Sequence, residues 1–171
     1  VVYDGDTGDY LRHWGAYGEV PDDLYSYAQE DPEGSPPRQF STVHGVVGAN
    51  DGLIYVADRR GNRIQVFQQN GEFVMEKIIA PETLASGSAF VIALSPDDNQ
   101  EWLYLADGTN HKVWILHRED LEIVGQFGRG GRQVGQFLRP HGMGIDSHGN
   151  LYVGEASTGR RVQKFTVSAV R

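Results

Sequence analysis

The chain has 171 residues and a formal net charge of −8, from 15 Lys/Arg set against 23 Asp/Glu. That length suits one domain with a proper core, and an acidic surface without a basic run argues against nucleic acid or an anionic membrane as partner. Cysteine is absent, which excludes disulfides, thiolate metal sites and a cysteine nucleophile, and no apolar run approaches the ~20 residues that cross a bilayer.

The chain opens Val1-Val2-Tyr3-Asp4, without Met and without a basic or apolar leader. It reads as a processed or partial product, expected in the periplasm or outside the cell. The stretch Val2–Leu11 matches Val66–Val74 with one extra turn residue. Residues 1–17 are therefore expected to form the outer strands of a first repeat unit. Residues 18–40 follow, with Pro21, Pro32, Pro36 and Pro37 breaking any regular ladder. They are expected to form a loop insertion, and Tyr17, Tyr25 and Tyr27 are its candidate ligand- or partner-contact residues.

From there the chain repeats itself. Tyr55-Val56-Ala57-Asp58 runs on to Arg63-Ile64-Gln65-Val66-Phe67; Tyr104-Leu105-Ala106-Asp107 runs on to Lys112-Val113-Trp114; Tyr152-Val153-Gly154-Glu155 runs on to Arg161-Val162-Gln163-Lys164-Phe165. A period of about fifty residues filled with short apolar strands and turns marks β-propeller blades. Asp51-Gly52 and Gly61-Asn62 supply the positive-φ positions that tight hairpins require. Almost no helix is expected, because no stretch shows a 3.6-residue period.

The units divide as 41–88 for a second blade, 89–136 for a third and 137–171 for an incomplete fourth. The fold class is all-β: a single propeller segment of about three to three and a half four-stranded blades. Closed propellers have four to eight blades, so the ring is expected to be completed by further chain or by a second copy, as a homodimer.

Asp58, Asp107 and Glu155 end equivalent strands. A carboxylate there can accept hydrogen bonds from the following turn and pair with Arg63, Lys112 or Arg161. The alternative is a ring of carboxylates serving Ca²⁺ or acid–base work. Gly128-Arg129-Gly130-Gly131 lacks the helix and Lys-Ser/Thr ending of a phosphate loop, and no Gly-x-Ser-x-Gly elbow appears.

The pattern Tyr55–Phe67, the run Phe137–Val153 with its Pro140-His141-Gly142, and the linker-like Gly128–Phe137 together resemble the NHL-repeat family of β-propellers, six-bladed in many members. The chain is also similar to bacterial propellers described as gluconolactonase-like. The resemblance implies a binding or assembly scaffold for a protein, peptide or small ligand, or a lyase or lactonase-like enzyme. His44 and His141 lie at the same point of the repeat, beside the expected channel, about 120° apart in a six-bladed ring. The similarity to peptidyl-hydroxyglycine amidating lyases implies that they match two of three zinc-binding histidines. The Asp-Gly-Tyr motif of those lyases is interrupted here, since Thr109 follows Asp107-Gly108. Zn²⁺ at His44 and His141, or Ca²⁺, is thus the cofactor expectation, against a structural or ligand-contact role for the two histidines. His13, His111, His117 and His148 are expected in turns or on strand faces.

Overall fold

The computed structural model describes residues 1–25 and 37–166. Strands β1 (Val2–Tyr3) and β2 (Tyr10–Arg12) pair antiparallel as a small hairpin. Three larger sheets follow: β3 (Val43–Gly48), β4 (Ile54–Asp58), β5 (Arg63–Phe67) and β6 (Phe73–Ile78); β7 (Val91–Leu94), β8 (Trp102–Asp107), β9 (Lys112–His117) and β10 (Ile123–Phe127); β11 (Pro140–Ile145), β12 (Leu151–Glu155) and β13 (Val162–Phe165). Within each, every strand pairs antiparallel with the next in sequence. That meander is the propeller blade. A 3₁₀ turn at Ala16–Gly18 is the one helical element among the described residues.

The match between the N-terminal hairpin and the second blade extends to the turns. Asp4 N–H bonds Asp9 O at 2.8 Å, and Gln68 N–H bonds Glu72 O at 2.8 Å, so the first turn holds the one additional residue. The hairpin thus resembles the β5–β6 pair of the second blade. No strand lies between it and β3 among the described residues, and residues 26–36 fall outside them.

Blade faces pack by the two-residue period of a strand. In the third blade Ile92, Leu94, Leu103 and Leu105 face the second blade and meet Tyr55, Ala57, Ile64 and Val66. The intervening Ala93 and Tyr104 face the fourth blade, joining Phe137, Leu151 and Val153. Both faces of the sheet are covered, which is why β8 reads as a nearly unbroken apolar run. Each fully buried Leu, Val or Phe contributes about 1.5–3 kcal/mol by leaving water.

The outer face of the second blade is different. Phe67 there meets Trp14 and Phe40, with ring centroids 6.2 and 6.1 Å away. Beside them, Val1, Val2, Trp14, Val43, Val46 and Val56 line an apolar groove of about 460 Å³. Val46 remains 62% exposed on this face. The arc is therefore open at its N-terminal side, as expected of a segment.

The innermost strands β3, β7 and β11 stand side by side, and their first residues form the inner rim. The linker that enters β7 is fixed by Asn62. Its side-chain amide donates to Pro81 O and Thr83 O and its carbonyl oxygen accepts from Ser88 N at 2.8 Å.

Candidate ligand site at the inner rim

His44, Phe90 and His141 occupy equivalent places on three consecutive blades. β3 pairs with β4 through Val43↔Asp58 and then Gly45↔Ala57; β11 pairs with β12 through Pro140↔Glu155 and then Gly142↔Gly154. In both, the histidine is the residue skipped by the register, and such a bulge re-aims its side chain. Phe90 enters the third blade at the same level, its N–H on Ala106 O at 3.0 Å.

The three rings converge. His44 and His141 stand edge to face with centroids 4.7 Å apart, and Phe90 lies 5.2 Å from His44 and 5.5 Å from His141. The His44 Nδ1–H donates to Phe90 O at 2.8 Å. A carbonyl accepts only, so this bond fixes the tautomer and leaves Nε2 with its lone pair.

Two guanidinium groups join the cluster. The Arg59 Cζ lies 5.2 Å and the Arg139 Cζ 5.7 Å from the Phe90 ring centroid. Arg59 follows the strand-ending Asp58, where the next blades have Gly108 and Ala156. Its backbone is clamped by Gly87, at φ +74°, where a Cβ would fall 1.9 Å from Arg59 O. Arg59 Nε is shielded from solvent and has no hydrogen-bond partner among the described residues. Arg139 reaches Ser86 Oγ at 3.4 Å, a weak contact. Burial, then the neighbouring His44 imidazole and the Arg139 and Arg59 guanidiniums, hold the His141 imidazole below its ordinary pKa. Neither arginine was singled out by the sequence reading. The available signal was positional: a cation stands at repeat positions where sister blades carry a small residue.

The strand-ending carboxylates are committed elsewhere. Asp58 accepts from Ser41 N, Thr42 N and Arg63 Nε. Burial would raise the Glu155 carboxyl, but bonds from Arg161, Leu138 N and Gln163 outweigh it and hold it low. Asp107 takes Asn110 and the Trp114 indole N–H, while Lys112, expected to pair with it, reaches Gln126 instead. Asp58 and Glu155 thus tie the strand end to the segment that enters the blade, and Asp107 fixes the turn that follows it.

Two imidazoles, one with a free Nε2, supply part of a zinc site. Among the described residues no group of three His, Cys, Asp or Glu converges to hold a metal. Ca²⁺ needs six to eight oxygen ligands, and Phe90 O at the rim already accepts from His44. Two guanidiniums beside the imidazoles further oppose a cation. The described residues alone do not complete a site for either metal.

The candidate tyrosines separate. The Tyr17 hydroxyl bonds both Glu76 oxygens at 2.9 Å and accepts from Arg63 Nη1 at 3.1 Å, with Arg38 stacked on its ring at 4.4 Å. Burial and the Glu76 bond push that hydroxyl's pKa up to about 12. Its hydroxyl and one ring face are thus engaged within the chain. Tyr25 lines a depression of about 250 Å³ with Trp14, Pro21 and Phe40, and Tyr27 lies outside the described residues. His111, expected at a surface turn, is half-buried under the linker. A Cβ on Gly130 would lie 3.3 Å from its Cδ2.

The fold defines a class, the β-propellers, of which this chain is a segment. Residues 40–67 match the NHL repeat. Among solved structures, a protein of unknown function from Bacteroides caccae superposes with a TM-score of 0.58 at 17% identity, over 75% of this chain and 47% of its own. A proposed 6-phosphogluconolactonase from Bacteroides uniformis superposes at 0.59 and 20% identity, over 95% and 44%. Virginiamycin B lyase from Staphylococcus aureus superposes at 0.52 and 11% identity, over 75% and 42%. The chain thus spans less than half the length of these structures. At such identities the likeness establishes the fold alone.

Proposed function

We propose that this propeller segment is a binding module and that the inner rim around His44, Phe90 and His141 recognises its ligand, a peptide or small molecule. One observation carries the reading: side chains from three separate blades converge with ring centroids 4.7–5.5 Å apart, at the level where two neighbouring cations also gather. Structural repetition alone does not call for this set, because the third blade places Phe there and buries it while the second and fourth place partly exposed histidines. Screening small molecules and short peptides by the NMR signals of the two histidine rings tests the reading. Ligands that move both rings, and that His44→Ala or His141→Ala stops binding, are expected; ligands that bind and move neither would sink it.

A second reading, a metal-assisted lyase or lactonase-like enzyme, rests on the free Nε2 of His44 beside His141. It requires a further ligand in addition to the two histidines. Zinc titration followed through the same two rings separates the readings: stoichiometric broadening or shift of both supports the metal, and shifts confined to other histidines remove it.

A further inference from the structure

The rim gathers positive charge on an otherwise acidic chain. His44 comes from β3, Arg59 from the turn after β4, and Arg139 and His141 from the approach to β11 and its second residue. All four border the Phe90 ring. Nothing negative answers them among the described residues. Among the described residues neither Arg59 nor Arg139 has a salt bridge, although Arg63, Arg118 and Arg161 do. Asp58, Asp107 and Glu155, which end the adjoining strands, are turned to other partners.

A guanidinium held against a wall with its Nε dry and unbonded is costly, since a shielded donor without an acceptor loses its hydration and gains no bond in return. Arg59 Nε is such a donor, and the Gly87 backbone clamps the residue that carries it. The chain's net charge of −8 makes the local cluster more telling, because none of the described acids pairs with Arg59 or Arg139.

We propose that the inner rim binds an oxyanion, the carboxylate or phosphate group of a small ligand, between Arg59, Arg139, His44 and His141. This deepens the binding reading given above and rests on it. Guanidinium groups bind such planar or tetrahedral oxyanions through paired N–H bonds. The imidazoles act differently. His44 offers Nε2 as an acceptor while neutral and as a donor once protonated, and an anion beside His141 opposes the depression of its pKa. Phe90 is fully buried and serves as the wall that spaces the cations.

The test uses the chain as it stands, with inorganic phosphate and acetate as separate probes at constant ionic strength set by sodium chloride. Calorimetry gives the affinity and histidine NMR gives the place. Saturable binding of either probe is expected, with His44 and His141 signals moving and the His141 titration shifting upward. Binding of phosphate alone assigns a phosphate ester, acetate alone a carboxylate, and both the shared oxyanion chemistry. Arg59→Gln should weaken binding about tenfold or more, the loss of one charge-assisted bond. Arg139→Gln should do likewise, and Lys77→Gln on the distant β6 should not. Melting curves of the variants check that they fold, and Arg59→Lys keeps the charge if Arg59→Gln fails. Equal responses to chloride and to both probes, or unchanged binding in both arginine variants, would overturn the anion site. If neutral screening ligands move the two rings while phosphate and acetate do not, the anion inference falls and the binding reading stands. If no ligand of any charge moves them, both fall.

Discussion

Arg63 and Asp58 form an ion pair with neither side chain exposed, Nε to Oδ2 at 3.0 Å. The two residues face each other across β4 and β5, and the guanidinium also donates to Pro37 O at 2.7 Å and Gln39 O at 2.8 Å. One cation thus ties the end of a blade strand to the segment that enters the blade. Replacing Arg63 with Met would leave Asp58 buried with only its Ser41 and Thr42 amide donors. Breaking a buried pair from one side costs about 3–5 kcal/mol. Urea unfolding followed by tryptophan fluorescence should show a loss of that size. A loss below about 1 kcal/mol would mean that the pair and its carbonyl bonds contribute little.

Asn62 is predicted to matter more than its turn position suggests. It sits at φ +52°, a conformation Asn tolerates better than most residues, and its side chain makes bonds to three linker residues. Asn62→Ala strands the buried Ser88 N–H, at about 1–3 kcal/mol. Hydrogen exchange at Ser88 should accelerate well before global unfolding does, because the damage is confined to the linker. Unchanged exchange there would remove Asn62 as the linker's anchor.

The blades were legible in the sequence because their causes are local. Tyr55, Tyr104 and Tyr152 recur, Asp-Gly and Gly-Asn mark the turns, and apolar residues alternate or run on according to how many faces are covered. The strand-ending acids were legible in part. Asp107 binds the turn that follows it through Asn110, and Asp58 and Glu155 pair with Arg63 and Arg161. These two, however, take their backbone donors from the segments that enter their blades. His44 and His141 could be placed at one repeat position, but not the 4.7 Å contact between their rings, which depends on how closely β3, β7 and β11 pack. Arg59 and Arg139 escaped notice because they flank motifs without belonging to them. Their meeting over Phe90 is a product of blade packing, to which no short window of sequence has access. Lys112 misled for a related reason. A wide indole two residues on, Trp114, reaches Asp107 first.

Gly108 is predicted to tolerate no side chain. A Cβ there would lie 2.7 Å from the Phe90 ring and 2.7 Å from Pro140 O. One neighbour is a buried ring and the other is backbone, so neither yields cheaply. Overpacking of this kind costs about 1–3 kcal/mol, and the displaced Phe90 should move the His44 and His141 NMR signals. Adding Phe90→Leu to Gly108→Ala should restore only part of the stability, since the Pro140 carbonyl remains. Full recovery would show that the ring alone sets the constraint.

The last prediction concerns pH and follows from the depressed pKa of His141. Burial, the neighbouring His44 imidazole and the Arg139 and Arg59 guanidiniums keep its folded value below the ordinary 6.5. Above pH 6.5 the imidazole is neutral in both states and contributes no pH dependence. As pH falls below 6.5, the unfolded chain takes up a proton that the folded chain resists, so stability declines until the folded value is passed. His141→Gln should flatten that part of the stability–pH curve while leaving the curve above pH 7 almost unchanged. The groups facing His141 fix the interpretation: His44, Arg59 and Arg139 are cationic or neutral, and the carboxylates of Asp58, Asp107 and Glu155 are bonded elsewhere. An oxyanion at the rim would relieve the same repulsion. The slope below pH 6.5 should therefore shrink in saturating phosphate or acetate for the unmodified chain, and not for His141→Gln. Urea midpoints at half-unit steps from pH 5 to 8, with and without the anion, measure both effects. A slope that survives His141→Gln would assign it to another group and remove His141 as its source.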